Sequence, residues 1–447
     1  MAEECTMAQV LIEAWRDFSI SAEQFRRIRD DFALEIEAGL NGKTSSLQML
    51  PGYVGRPLGT EKGTYLSLDF GGTNVRVAEV ELGGAGQARI VKIHKVSLKS
   101  VSDGYDYTSA EVQLTELFDF IAKQVAKVAD GKERLLGHSF SYAGRQTAIG
   151  RAEFVGWTKE IKVSGLAGQD INAVLSAALE RQQLGSVRPV AVLNDTTATL
   201  LTAAYSSPLA DMGSVCGTGY NICYYEQSPR HGTPGQVMAY NAEAGGFDRL
   251  PFSLFDEELN SASEYPGRQR LEKMVSGRYL GELTRRILWA GRGQCGMRFV
   301  EGYELFQQPD GLSSLDVSVF VGDESRELAS ISDWLSRRCP DSRVELAERH
   351  FIKAVAELVV SRSSTLAAAS YAGFLHWIDP GRRQRHLIGI NGSLYEKMPG
   401  FADKIHQVLA EQGKWSADQL TFLPVDEAPI LGAAIAAAVA EREGERS

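Results

Sequence analysis

The sequence lacks paired cysteines and every common cysteine pattern for binding a metal. Among its 447 residues are five cysteines, none in a CxxC pair and none with a histidine at zinc-finger spacing. Disulfide-stapled and zinc-stapled folds are therefore excluded, and reduced thiols in a cytoplasmic protein are expected. Cys216 and Cys223 flank a glycine turn considered below, and both are expected to be small buried residues.

A net positive charge and a long apolar run are also missing. The chain has 47 Lys and Arg against 57 Asp and Glu, a net charge of −10. Its surface as a whole therefore repels nucleic acid and anionic membranes, and neither is expected as a partner. The most apolar stretch, residues 431–440, is short and rich in alanine, which predicts a packed helix rather than a membrane span. Glu3 and Glu4 stand where a signal peptide would carry lysine or arginine.

The bulk composition is that of a globular protein with more than one core. Hydrophobic residues make up 44% of the chain and charged residues 23%, which excludes disordered and fibrous classes. A chain of this length suggests two domains. Apolar strand patterns alternate with helical spacing along most of the sequence, which indicates an α/β layer fold with a largely parallel core and an antiparallel edge.

The most informative stretch is YLSLDFGGTNVRV, residues 65–77. An apolar strand leads into Asp69, and Gly71 and Gly72 follow, where the lack of a Cβ lets backbone N–H groups approach an anion. Thr73 and Asn74 add side-chain donors. Two interpretations fit this turn equally well by itself, namely a phosphate cradle with a carboxylate beside it or an ordinary hairpin turn into a return strand.

The same order of strand, Gly-Thr turn and strand recurs at residues 213–226. Gly217, Thr218 and Gly219 form the second turn. Two such turns facing one another would grip a polyphosphate from both sides. Between them, Asn194 and Asp195 end an apolar strand and precede a helix. As a bare pair they favour a helix N-cap, and a catalytic base is the alternative.

Eight segments, taken together in this order, carry a resemblance to one family. They are MLPGYVGRPLGTEKGTYLSLDFGGTN, FSYAGRQ, WTKEIKVSGLAGQDI, LNDTTATLL, GTGYN, NAEAGGF, PGRQRLEKMVSGRYLGEL and GINGSLYEKMPGF. From about residue 47 to residue 434 the chain resembles the eukaryotic-type hexokinases. The resemblance implies a two-domain actin-like ATPase (ribonuclease H-like) fold, with a five-stranded mixed sheet flanked by helices in each domain and a cleft between them.

The resemblance also implies boundaries, an activity and partners. The small domain would comprise residues 63–204 with the terminal helix 429–447, and the large domain residues 1–62 and 205–428. The implied reaction is transfer of the γ-phosphate of MgATP to the 6-hydroxyl of glucose or a related hexose, the first step of glycolysis, with domain closure around the sugar. Each motif occurs once, which indicates one catalytic unit in a monomer or homodimer.

Residue roles follow from the resemblance position by position. Asp195 would be the general base, and Lys159 would place a positive charge beside the transferring phosphoryl group. The remaining sugar-binding positions match Ser141, Thr158, Asn194, Asn221, Glu243 and Glu272, and Lys159 and Asp195 belong to this set as well. Asp69 would orient the nucleotide-bound Mg²⁺ through water. The phosphate loops would be Gly71, Gly72, Thr73 and Asn74 on one side and Gly217, Thr218 and Gly219 on the other, with Gly392 and Ser393 in the adenosine region.

Some positions depart from the family pattern. Ala143 stands where proline is usual, Ala244 replaces a tryptophan, and Asn391 replaces an aspartate. The segment DEAPILGAA, residues 426–434, lacks the usual Asp-Gly-Ser. These departures concern the loop that presents Ser141, the selectivity for the sugar and the contacts to adenosine.

Other functions fit the sequence less well. A hexokinase-like sugar sensor would not need Asp195 or both glycine turns. The Asp-Phe-Gly at residues 69–71 has no upstream glycine-rich loop and no His-Arg-Asp, which excludes a protein kinase. No Gly-x-x-x-x-Gly-Lys-Ser/Thr motif is present, so a P-loop enzyme is excluded. An actin-like or chaperone ATPase would share the fold without the sugar-facing residues. His138 matches no family role and is expected to be a satisfied core or loop histidine.

Overall fold

The computed structural model describes residues 7–157, 161–228, 237–292, 298–340 and 343–444. The strands are β1 Leu50–Pro51, β2 Lys62–Gly71, β3 Asn74–Gly84, β4 Gln87–Ser97, β5 Lys99–Ser100, β6 Tyr105–Asp106, β7 Arg134–Phe140, β8 Ala143–Ala148, β9 Arg151–Gly156, β10 Val187–Leu193, β11 Ala210–Cys216, β12 Tyr220–Glu226, β13 Met238–Asn241, β14 His386–Asn391 and β15 Leu420–Pro424. The helices are α1 Met7–Phe18, α2 Ala22–Leu40, α3 Leu114–Ala126, α4 Ile171–Arg181, α5 Asp195–Ser206, α6 Leu254–Ala262, α7 Arg270–Val275, α8 Gly277–Ala290, α9 Arg298–Glu301, α10 Glu304–Gln307, α11 Ser314–Gly322, α12 Ala329–Arg338, α13 Leu346–Ile378, α14 Ser393–Lys397, α15 Phe401–Glu411 and α16 Ala428–Gly444, with a 3₁₀ turn at Ala244–Gly246.

Two mixed sheets organise the chain, as the sequence predicts. The first has the strand order β10-β7-β2-β3-β4, in which β10, β7 and β2 are parallel and β3 and β4 are antiparallel. The second has the order β13-β12-β11-β14-β15 with the same pattern of directions, and the two-residue strand β1 adds a sixth, antiparallel edge. The expected α/β fold with two mixed sheets is confirmed, and the difference is that the second sheet has this short sixth strand.

The two sheets are joined through a pair of crossing helices. Helix α5 leaves the first sheet after β10 and packs on β11, β12 and β14 of the second. Helix α16 leaves the second sheet after β15 and packs on β2, β7 and β10 of the first. The helices meet at Gly432, where a Cβ would stand 2.2 Å from the Ala198 carbonyl oxygen, so the crossing needs a residue without a side chain.

Glycines also bring each helix close to its sheet. A Cβ on Gly137 of β7 would overlap the carbonyl of Ala433 in α16, and one on Gly213 of β11 would lie 2.5 Å from the Leu200 nitrogen in α5. The alanine-rich stretch at 431–440 is indeed a packed helix, with Ala433 to Val439 buried. Within the described ranges, no helix has both the length and the apolar character needed to cross a bilayer.

Helices of the second half form the largest core. Helix α13 is buried over most of its length and packs on α1, α2, α8, α11 and α15. The first sheet packs α3 and α4 through Leu117, Phe118, Ile121 and Leu175, all fully buried. These layers place the carboxyl ends of β2, β7 and β10 at one edge of the first sheet, and those of β11, β14 and β15 at one edge of the second.

Most elements agree with the sequence pattern to within a few residues. Helices α7 and α8 follow each other directly but remain separate, because α7 ends where Ser276 interrupts it with extended backbone. Strand β13 and the hairpin of β8 and β9 were not predicted, since neither carries a regular alternation of apolar and polar residues.

Candidate active site

The junction between β10 and α5 presents Asp195 at the carboxyl edge of the first sheet. Asn194 caps the helix, and its side-chain oxygen accepts the Thr196 N–H at 2.8 Å. Asp195 is therefore the first helical residue and not the cap, so the N-cap interpretation applies to Asn194 alone. The Thr196 hydroxyl donates to the Oδ1 of this carboxylate at 3.3 Å.

Asp69 lies on the same edge, two strands away. Strand β7 pairs with both neighbours, so that Ser139 is opposite Asp69 on one side and Leu193 on the other. The Asp69 carboxylate is buried and accepts from Arg76 Nε and Nη2, each at 2.9 Å. Burial raises the pKa of Asp69, Arg76 opposes that shift, and the charge of Asp195 adds to it.

The first glycine turn is a hairpin, so the two interpretations of residues 65–77 are not exclusive. Gly71 pairs with Asn74 across a two-residue turn in which Gly72 has φ +63°, a conformation that favours glycine. The turn carbonyls are already engaged, because the Tyr142 hydroxyl donates to Gly72 O and the Leu98 N–H donates to Thr73 O at 2.7 Å. Hydrogen bonds that fix the carbonyls also fix the orientation of the turn.

Ser141 lies against this first hairpin. Its N–H donates to Phe70 O at 3.2 Å. A Cβ on Gly71 would stand 3.0 Å from Ser141 Oγ, which explains why glycine is needed beside the serine. Ala143, at the position where the family usually has proline, begins strand β8 two residues later.

The second hairpin lies at the carboxyl edge of the second sheet. Cys216 pairs with Tyr220 across Gly217, Thr218 and Gly219. The carbonyls of Gly217 and Thr218 accept the N–H groups of Gly277 and Arg278 at 2.8 and 3.3 Å, which ties the turn to the first turn of α8. Gly392 adjoins it, because a Cβ at Gly392 would lie 2.4 Å from Cys216 O, and Ser393 follows as the first residue of α14.

Glu243 is held by two asparagines. Its Oε1 accepts from Asn241 Nδ2 at 2.7 Å and from Asn221 Nδ2 at 3.3 Å. Asn221 in turn accepts the Ala244 N–H at 3.0 Å. Burial raises the pKa of Glu243, the Asn241 hydrogen bond opposes this, and Asp195 adds to it. Glu243 has φ +55°, a left-handed conformation that a network of this kind must stabilise.

Glu272, in the first turn of α7, completes the group. Its Oε2 accepts the Tyr220 N–H at 2.9 Å and would stand 3.0 Å from a Cβ on Gly219. Burial raises the pKa of Glu272, the Tyr220 N–H opposes the shift, and Asp195 again raises it. Asp195 therefore acts electrostatically on Asp69 of the first sheet and on Glu243 and Glu272 of the second, which places it between the two halves.

Two expected residues, Thr158 and Lys159, lie outside the described residues. The residue before them, Trp157, packs against Phe70 of β2 and against Tyr142, which follows β7, and it donates its indole N–H to Val163 O at 2.6 Å. The other expected residues lie at the two hairpins, at the junction of β10 and α5, or next to the second hairpin.

Three expectations about flanking residues have clear outcomes. Cys216 and Cys223 are free thiols and fully buried, as predicted. His138 is a core residue, but it is only half satisfied. One ring nitrogen lies 3.4 Å from Asn172 Oδ1, and within the described chain Nε2 has no hydrogen-bond partner. Burial lowers the pKa of His138 to about 4, so it is neutral near pH 7.

Sequence reasoning missed Arg76 and Asn241. Arg76 was detectable, because a two-residue turn that pairs Gly71 with Asn74 necessarily pairs Asp69 with Arg76. Asn241 gave no comparable signal, since it ends the unpredicted strand β13.

Comparisons with known proteins agree with this geometry. Two family models, both described as Hexokinase, match residues 11–205 and 211–439. Hexokinase-1 of Schizosaccharomyces pombe is 32% identical over 451 residues, covering 97% of this chain and 91% of that protein. A chloroplastic Hexokinase-2 of Nicotiana tabacum is 31% identical over 431 residues, covering 91% of this chain and 85% of that one.

A solved structure shares the whole fold. The hexokinase of Schistosoma mansoni complexed with glucose superposes with a TM-score of 0.81 at 29% identity, covering 97% of this chain and 100% of that one. Similarity over both sheets and nearly the entire length extends beyond a shared fold type. The chain belongs to the hexokinase family, and it is an ATP-dependent kinase of hexose sugars.

Proposed function

We propose that this kinase transfers the γ-phosphate of MgATP to the 6-hydroxyl of glucose or a closely related hexose, with Asp195 as the general base. The observation that carries the proposal is the position of Asp195, which begins α5 at the carboxyl edge of the first sheet, two strands from Asp69, on a helix that packs against the second sheet. Its charge also raises the pKa of Asp69, Glu243 and Glu272. A sugar bound next to Asp195 would have Asp69, near the phosphates, on one flank. Glu243 and Glu272, which would contact the sugar, would lie on the other.

Asp195 suits the role of base because its neighbour takes over the structural task. Asn194 caps α5, so the Asp195 carboxylate is not consumed by the helix N-terminus. In the proposed reaction it accepts the proton of the 6-hydroxyl as that oxygen attacks the γ-phosphorus, and the bond to the β-phosphate oxygen breaks. A positioned base contributes about 10²–10⁴-fold to the rate.

The sugar would be held by paired acceptors and amides. Glu243 and Glu272 are suited to accept from sugar hydroxyls, and Ser141, Asn194 and Asn221 both donate and accept. Thr158 and Lys159 stay part of the proposed set. The Glu243 network prearranges the carboxylate, since Asn241 and Asn221 both donate to Oε1.

The two hairpins would bind the polyphosphate from opposite sides. Backbone N–H groups of Gly71, Gly72, Thr73 and Asn74 serve one side, and those of Gly217, Thr218 and Gly219 serve the other. Gly392 and Ser393 adjoin the second hairpin, where adenosine would lie. Among the described residues, no three His, Cys, Asp or Glu side chains form a metal cage. A single buried carboxylate such as Asp69 fits a Mg²⁺ that arrives with ATP and keeps its water shell, and this ion would neutralise charge on the phosphates.

Closure would use the crossing helices. We take the small domain as residues 63–204 with 429–447, and the large domain as residues 1–62 and 205–428. Helix α16 packs on the first sheet and α5 on the second, and the Gly432–Ala198 contact is the point about which the halves would rotate. Closure over the sugar would exclude water and reserve ATP for the hexose.

A direct assay tests the proposal against the sensor alternative, which the family membership does not favour. ADP release is measured with MgATP and equal concentrations of glucose, mannose, fructose or glucosamine. We expect hexose-dependent ADP release with the highest kcat/KM for glucose. Glucose binding without ADP release would instead support a sensor, and a higher kcat/KM for another hexose would overturn the glucose assignment.

A further inference from the structure

Arg76 of β3 bridges two carboxylates that come from different halves of the molecule. Its Nε and Nη2 contact Asp69 Oδ2, both at 2.9 Å, and its Nη1 donates to Glu427 Oε2 at 2.6 Å. Asp69 belongs to the first sheet, whereas Glu427 follows β15 of the second sheet and precedes α16. One cation therefore serves two anions beside the Gly71–Asn74 hairpin.

Glu427 occupies its position at a conformational cost. It has φ +51°, in the left-handed region that favours glycine. Its carbonyl accepts the N–H groups of Ile430 and Leu431, both at 3.0 Å, so it is the residue from which α16 begins. The helix needs only this backbone and not the side chain. Glu427 falls in the segment where this chain lacks the usual Asp-Gly-Ser.

The two contacts of Arg76 differ in how readily they are exchanged. The Asp69 side chain is 10% exposed and receives two donors, whereas the Glu427 side chain is 44% exposed and receives one. A half-exposed ion pair contributes little to stability, because water solvates both partners once they separate. A phosphate oxygen is also a strong acceptor for a guanidinium. Of the two carboxylates, Glu427 is the one that a phosphate would displace.

We propose that Glu427 sets the affinity for the nucleotide by competing with a phosphate oxygen of MgATP for Arg76. This inference rests on the proposed assignment of the Gly71–Asn74 hairpin to the phosphates. Two carboxylates around one guanidinium leave one excess negative charge at the hairpin, which opposes a bound polyphosphate. Glu427 therefore weakens the binding of nucleoside triphosphate and diphosphate alike and leaves the affinity for the sugar unchanged.

The test is the Glu427→Gln variant, which removes the charge and keeps the shape. Removing one unit charge several ångströms from the phosphates strengthens binding about three- to tenfold at low salt. We expect the Kd for a magnesium complex of a non-hydrolysable ATP analogue, measured by calorimetry, to fall by that factor, and the gain to shrink with added salt. The KM for glucose stays constant.

A matched control is available on β3, the strand that carries Arg76. Glu81 of β3 is also 44% exposed and is paired with Arg89. Glu81→Gln should leave the nucleotide Kd unchanged. The same charge effect at both positions, or no gain for Glu427→Gln, would overturn the proposal. A gain that persists in full when Arg76 is replaced by Gln would overturn it as well, because Glu427 would then act without Arg76.

Direct binding separates this inference from the proposed function. If the wild type shows no hexose-dependent ADP release but Glu427→Gln binds the analogue more tightly, the competition stands and the assigned reaction fails. If turnover is normal and the analogue binds both forms equally, the reaction stands and the competition fails. Thermal unfolding of the variant checks that the start of α16 is intact.

Discussion

The two halves of the molecule repeat one topology but differ in charge at the same place. Strand order β4-β3-β2-β7-β10 in the first half matches β13-β12-β11-β14-β15 in the second. Two residues before the first glycine of each turn, the first half has Asp69, which is paired with Arg76, and the second half has Val215, which carries no charge. The repeated backbone supplies two equivalent turns. The charged side chains next to the first turn suit it to a metal-bound phosphate, whereas the second turn has an uncharged side chain at the same position.

The helix that follows each sheet shows the same contrast. Asn194 and Glu427 are equivalent, since each carbonyl accepts the N–H four residues on, at 2.9 Å from Ala198 and 3.0 Å from Leu431. Asn194 turns its side chain back to cap its own helix, which leaves the next residue, Asp195, available. Glu427 turns its carboxylate to Arg76 in the other half. The comparison shows how one junction can present a base while its equivalent binds a cation.

The largest expected effect among three tests of this comparison is at Asp69. Asp69→Asn removes the charge that would orient the water shell of Mg²⁺, and we expect kcat/KM for MgATP to fall about 10- to 100-fold. Val215→Ala, at the equivalent position, should leave kcat/KM for MgATP within about twofold and reduce only stability, by about 1 kcal/mol. Steady-state kinetics and urea unfolding measure both. Equal kinetic losses at the two positions would show that the halves are not specialised as described.

A smaller effect is expected at the last residues of β13 and β4, which occupy equivalent positions in the two halves. Asn241 ends β13 and donates to Glu243, whereas Ser97 ends β4 and donates to Thr73 O at 3.3 Å. Asn241→Ala leaves Glu243 with one asparagine donor fewer, so the KM for glucose should rise about tenfold, equivalent to about 1.4 kcal/mol. Ser97→Ala should leave the KM for glucose unchanged. A KM for glucose that is insensitive to Asn241→Ala would remove Asn241 from the sugar-side network.

The smallest effect concerns the amino-terminal ends of β7 and β14, where the second half has a histidine between two carboxylates. Arg134 begins β7 and pairs with Asp130 at 2.7 Å, and His386 begins β14 between Asp211 at 2.6 Å and Asp379 at 3.3 Å. Burial lowers the pKa of His386, but the two carboxylates outweigh it and raise the pKa above its usual value. The raised pKa means that protonated His386 stabilises the fold.

The sign of the pH dependence follows from that direction. The contribution of His386 is fully present below the unfolded pKa of about 6.5 and is lost as pH rises through the higher folded pKa. Thermal unfolding followed between about pH 6 and pH 9 should therefore show a decline that is absent from His386→Gln. A wild type that gains stability relative to the variant over that range would contradict the assignment.

The sequence predicts the fold where the local pattern and the tertiary structure agree. The hairpins at residues 71–74 and 217–219, the strand before Asn194 and the terminal helix carry strong turn, strand or helix signals, and all are present. The second sheet gained the short strand β1, because Leu50 and Pro51 pair with β13 far along the chain. A two-residue strand formed by such a distant partner has no local pattern to reveal it.

The site was less accessible to sequence reasoning for the same reason. Asp69 and Asp195 stand out locally, because each ends an apolar strand, but that pattern left a hairpin turn and a helix N-cap as alternatives. Glu243 and Glu272 were named only because their motifs resemble a family, since nothing local tells them from solvated carboxylates. The contact of Arg76 with Asp69 can be predicted only when the register of the hairpin is known. Its contact with Glu427 can be predicted only when the packing of α16 across the first sheet is known. The roles of these residues and the cytoplasmic location stay predictions, and one hexokinase relative is itself chloroplastic.

Asp195, freed by the Asn194 cap, is proposed as the base of a site shared by both halves. The most direct measurement compares Asp195→Ala with the wild type for kcat of glucose phosphorylation and, by calorimetry, for the Kd of glucose. We expect kcat to fall by a factor of about 10² or more while the Kd changes only a few-fold. A variant that turns over at a rate near that of the wild type would contradict the account.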